Sequence, residues 1–232
     1  TLLHLGQSRS GRERLRGCQA LVTDPLDGPL ALEYVILAAG TMILTGEHAL
    51  ARATINTVLT RLRADGAIGL MPFALYVSAY AEAVGGRMEA ARAAATDAVD
   101  LADFTNDEFW QYLALSALTY VEAIRGDVER CREHGLQAIA LRRSDTDYPR
   151  DASEALGLLE LSLGNYEEAI ACFRDGARST PGEATDALVD NLPDVIEARI
   201  RSGEQPTGSM LRSLDELTQD THFALHAAMA WR

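Results

Sequence analysis

A chain of 232 residues with 47% hydrophobic residues is long enough to bury a continuous core. Its 34 acidic and 21 basic residues leave a net charge of −13, which argues against nucleic-acid binding through a basic surface. Every basic residue is arginine; without lysine there is no Walker A motif, so this stretch is not a P-loop ATPase.

No apolar run reaches transmembrane length, because residues 30–44 are interrupted by Glu33, Gly40 and Thr41, and no signal peptide is visible. The expected setting is the cytoplasm, away from a membrane. Cys18, Cys131 and Cys172 are odd in number and form no CxxC, so reduced thiols are expected rather than disulfides or metal ligands.

In chain order, residues 12–22 read as one helix, and residues 23–29 as a loop. Residues 30–45 and 48–63 form a helix pair joined at Gly46, followed by a loop at 64–69. Residues 70–84 and 88–102 pair around Gly85-Gly86. Thr105 and Glu108 have the spacing of a capping box, which predicts a helix over 106–125; 128–143 is its partner. Residues 144–148 read as a loop, and Pro149 opens the next unit. Asn165 and Glu168 form a second capping-box pattern. Beyond Pro181 the pattern weakens: a helical turn over 184–191, a helix over 193–202, a helix whose apolar set is Met210, Leu211, Leu214 and Leu217, and a last helix begun over 221–232.

The chain repeats itself. The turn glycine recurs at Gly6, Gly46, Gly86, Gly126, Gly164 and Gly203, at spacings of 40, 40, 40, 38 and 39. Five residues after each comes a small residue: Gly11, Ala51, Ala91, Cys131, Ala169 and Gly208. Helices that cross closely need a small side chain there. Pro29, Pro72, Pro149 and Pro193 mark first turns of helices, where a missing N–H costs nothing. These markers predict an all-α solenoid of about six antiparallel helix pairs, continuous over 1–232.

Residues 150–181 carry the repeat most fully. Leu156-Gly157 sits midway along one helix and Gly164-Asn165 makes the turn. Tyr166, Ala169 and Phe173 share a face of the second helix, and Pro181 closes the unit. This order resembles a tetratricopeptide repeat. Two positions depart from the usual pattern: Ser153 stands where a tryptophan is usual, and Glu160 where a tyrosine is.

The resemblance implies that the first helix of each pair lines a concave groove. That nominates Phe73, Tyr76 and Tyr80, then Phe109, Leu113, Ser116 and Tyr120, then Glu154 and Leu158, as walls of a site for a peptide or small ligand. The same aromatics can instead fill the solenoid core, and the sequence leaves both readings open. Glu82, Glu122 and Glu160 each lie four residues before a turn glycine. Such a regular ladder predicts capping of the partner helix or pairing with a nearby arginine, not an acid–base pair.

His222 and His226 share a helix face but lack a third metal ligand. His4, His48 and His134 are isolated. Ser8, Ser10, Ser78 and Ser116 have no nucleophile elbow. No catalytic constellation is found, so the chain is not expected to be an enzyme or to carry a cofactor or metal.

Residues 70–103, LMPFALYVSAYAEAVGGRMEAARAAATDAVDLAD, together with ALGLLELSLGNYEEAI and PDVIEARIRSGEQ, resemble the helical-repeat region of large ATP-dependent LuxR-type, maltose-regulator-like transcriptional regulators. The resemblance implies a central sensor or scaffold segment between an ATPase module and a helix-turn-helix, receiving a small-molecule inducer, a peptide or a protein partner. It fixes no ligand residues. A start at Thr1 and an end half-way through a helix pair fit a fragment of a longer protein. The alternative is a free-standing tetratricopeptide adaptor or peptide receptor; an enzyme built on helix pairs would need a convergent polar cluster, and a bare scaffold would bind nothing. Exposed terminal helices would also permit self-association.

Overall fold

The computed structural model describes residues 29–44, 46–142, 152–177 and 192–219. The expectations for Gly6, Gly11, Cys18, the helices over 12–22, 184–191 and 221–232, the loops over 23–28 and 144–148, Pro149, Pro181 and the His222/His226 pair lie outside these residues. Every regular element among the described residues is a helix: α1 (Pro29–Leu44), α2 (His48–Asp65), a 3-10 turn (Ile68–Leu70), α3 (Met71–Val84), α4 (Met88–Thr105), α5 (Glu108–Arg125), α6 (Val128–Leu141), α7 (Ala152–Leu163), α8 (Tyr166–Ala177), α9 (Leu192–Ser202) and α10 (Gly208–Gln219). No helix among them is long and apolar enough to cross a membrane.

The turns share one backbone device. Gly46, Gly66, Gly86, Asn106 and Gly126 all have positive φ and lie twenty residues apart; Gly164 and Gly203 repeat the conformation further on. At Gly86 the glycine N–H donates to the carbonyl of Ala83, and the next N–H, of Arg87, reaches back to Glu82. The same pair of bonds closes the turns at Gly46, Gly66, Asn106, Gly126, Gly164 and Gly203. This is the Schellman motif, which satisfies the last carbonyls of a helix and needs a left-handed residue. Glycine adopts that conformation without a Cβ clash, and Asn106, with φ of 50°, is the tolerated exception.

The small residues five positions on are buried: Ala51, Ala91, Cys131 and Ala169 are all at 0% exposure. Each extends along its helix as a stripe at offsets 4 and 7, namely Ile55 and Val58, Ala95 and Ala98, Gly135 and Ala138, Phe173 and Gly176. These are the faces the second helices bury. At Gly208 the pattern fails, because this residue is exposed and α10 instead buries Met210 and packs Leu214 against the core, while Leu211 stays out at 46%.

One correction concerns the start of α5. Thr105 does not open that helix; it ends α4, and its Oγ1 donates to the carbonyls of Leu101 and Ala102 at 3.1 Å. The cap is Asp107, whose Oδ1 accepts from the N–H groups of Phe109 at 3.1 Å and Trp110 at 3.3 Å. A left-handed Asn106 between the two helices displaces the capping residue from the Thr-x-x-Glu pattern.

The chain divides into two compact units, the first ending at Trp110 and the second beginning at Gln111. In the first, α1 packs on α2, α2 on α3, α3 on α4, and α1 also reaches α3. In the second, α6 packs on α7, α7 on α8, α8 on α9 and α9 on α10, with α7 also touching α9. Its cores are Ala123, Cys131, Leu156 and Leu159 in one cluster, and Ala169, Ile170, Phe173, Leu192, Val195, Ile196, Ala198 and Met210 in another.

Candidate functional site

Of the groove residues on α3, Tyr76 and Tyr80 are 7% and 4% exposed, and their rings meet edge to face at 5.1 Å. One turn earlier, Phe73 is only half-buried and stacks on Trp110, ring centroids 5.2 Å apart and planes 27° from parallel. Phe109 meets the same indole edge-on at 4.8 Å and remains 38% exposed. The Asp107 cap fixes the first turn of α5 and so aims Trp110 at Phe73. Phe73, Phe109 and Trp110 therefore make a partly open aromatic cluster in the first unit. Sequence reading singled out the two phenylalanines and missed the tryptophan that joins them; its place in the first turn after an Asp cap was the available signal.

In the second unit, Leu113 and Ser116 are enclosed at 3% and 1%, and the Ser116 hydroxyl donates back to the Tyr112 carbonyl at 2.8 Å. Tyr120 and Glu154 are half-buried. Leu158 packs against the cluster around Phe173. Thus Tyr76, Tyr80, Leu113 and Ser116 sit in the core, where a dissolved partner does not reach them, while Phe73, Phe109, Tyr120, Glu154 and Leu158 keep open surface.

The glutamate ladder resolves into three pairings. Glu82 pairs with Arg87 across its own turn. Glu160 accepts from Arg132 at 2.8 Å and from the Asn165 side-chain amide at 2.7 Å. Glu122 pairs with a histidine instead: Nδ1 of His134 lies 3.0 and 2.9 Å from its two oxygens. That hydrogen bond holds the His134 pKa above the usual value, against the opposing effect of burial.

Both departures from the repeat pattern carry polar contacts. Ser153 is buried at 1%, and its hydroxyl donates to Asp175 at 2.9 Å, which also pairs with Arg142 at 3.0 Å. Glu160 is the other. Ser153 and Glu160 thus tie α7 to α6 and α8 by directional bonds.

Burial and the nearby Glu122 charge push the Cys131 thiol up to about 12, so it stays protonated near neutral pH, and it donates to the Thr119 carbonyl at 3.4 Å. Among the described residues, no three His, Cys, Asp or Glu side chains come together as a metal site. No protein-family model matches the chain, and no curated protein matches it.

Proposed function

We propose that this chain is a tetratricopeptide-like α-solenoid segment that works as a non-enzymatic sensor or scaffold. In this reading it is the helical-repeat part of a bacterial transcriptional regulator resembling the large LuxR-type family, and it acts in the cytoplasm. Its partner is a small inducer, a peptide or a protein held by the first helices of the pairs, without direct contact to nucleic acid or membrane. The observation that carries the repeat reading is the rhythm of left-handed turn residues from Gly46 to Gly126, each closed by the same two backbone bonds. The half-open stack of Phe73, Trp110 and Phe109 supports a recognition role, since aromatic rings offer large, rigid contact area.

In this reading the domain transmits by population shift: a ligand that favours one arrangement of the helix pairs biases the protein towards it. The test is a thermal-shift screen of defined short peptides and small metabolites on the whole chain, followed by product analysis. The proposal expects a saturable upward shift with the ligand recovered unchanged, weakened at least about tenfold in Phe109→Ala. Conversion of the ligand to product contradicts it.

A further inference from the structure

Glu82, Glu122 and Glu160 hold the same place relative to their turns, and all three are buried, at 8%, 1% and 9%. In each turn the N–H of the residue after the glycine bonds the glutamate's own carbonyl. At two of them that following residue also serves the side chain: Arg87 pairs with Glu82, and Asn165 donates to Glu160, joined by Arg132. Neither arginine nor asparagine titrates near neutral pH. At the third turn the following residue is Asp127, an acid, which pairs with Arg130 at 3.9 Å instead. The most deeply buried of the three carboxylates therefore takes its partner from about two turns further along α6. A carboxylate only accepts, so Nδ1 of His134 carries the proton that both oxygens share.

We propose that the Glu122–His134 contact is a proton-operated clasp between α5 and α6, gripping the helix pair more tightly when the imidazole is charged. A neutral imidazole protonated on Nδ1 keeps the hydrogen bond but loses the charge that strengthens it. The charged groups acting on the ring are Glu122 from α5 and Glu133 and Arg130 on α6 itself, with Arg130 also paired to Asp127 in the turn; on α7, Glu160 is held by Arg132. Cys131, one turn before His134, stays neutral through this window and adds no competing charge.

The direction of the effect follows from the raised pKa. Stabilisation is fully present below the unfolded histidine value of about 6.5 and is lost as pH rises through the higher folded value. His48 works in the opposite sense, because burial lowers its pKa, so the clasp is read as a difference between variants. This inference stands whether or not the chain binds a ligand.

The experiment compares melting temperatures of the whole chain and His134→Gln at about pH 5.5 and about pH 8. The wild type is expected to lose about 2–4 °C more than the variant over that range. Equal losses overturn the proposal. Should His134→Gln fail to fold, the ring titration of His134 in the wild-type chain, followed by NMR, decides. A midpoint above about 6.5 supports the clasp, and one at or below that value overturns it.

Discussion

Gly157 of α7 lies so close to Phe173 of α8 that a Cβ placed on it would come within 2.6 Å of the ring. The neighbouring helices show the same economy: a Cβ on Gly135 would meet Leu156 at 2.9 Å, and one on Gly176 would meet Glu154 at 2.9 Å. Glycine at these points serves helix approach rather than backbone freedom. A phenyl ring packed at 1% exposure has little room to withdraw. Gly157→Ala is therefore expected to destabilise the second unit by about 1–3 kcal/mol, read from urea denaturation.

The turn glycines cost something different. Around Gly126 nothing lies within 4 Å of a built Cβ, but φ is 73°. Gly126→Ala should lose about 1 kcal/mol through the left-handed backbone alone, and Gly126→Asn clearly less. The same denaturation series checks this, with Gly157→Asn predicted to be worse than Gly157→Ala.

Tyr80 on α3 and Phe109 on α5 should respond to truncation by very different amounts. Tyr80 is 4% exposed and edge-on to Tyr76, so Tyr80→Ala should cost about 3 kcal/mol. Phe109, at 38%, meets Trp110 edge-on, and Phe109→Ala should cost less than about 1 kcal/mol. Thermal melts of both variants separate the core ring from the accessible one.

Glu160 offers a test of the polar replacement. Its side chain is 11% exposed while that of Arg132 is 47% exposed, so water screens one end of the pair. A double-mutant cycle of Glu160→Ala with Arg132→Ala should give a coupling of no more than about 1 kcal/mol. Glu160→Ala alone should cost more than Arg132→Ala, because it also strands the Asn165 amide.

Most turns were legible in the sequence because a left-handed backbone position admits few residue types, and the small buried residue five positions on because a close crossing admits few side chains; Gly66 was read only as part of a loop. Asn106 carried the same turn signal in a residue less diagnostic than glycine, and the Thr105–Glu108 spacing masked it. The face of α3 was harder to read. Phe73, Tyr76 and Tyr80 share a stripe by spacing, yet the helix is covered over Tyr76 and Tyr80 and opens at Phe73. Local periodicity gives a helix its apolar face; what covers each turn of that face is set by distant residues. The same holds for Glu122, whose ladder position was visible but whose histidine partner lies twelve residues away.

The central claim, that these helix pairs form the repeat segment of a larger regulator, is tested most directly by sequencing the native gene on either side of these residues. The account predicts one continuous frame with GxxxxGK[ST] upstream and a helix-turn-helix downstream. A frame that closes just outside Thr1 and Arg232 would contradict it.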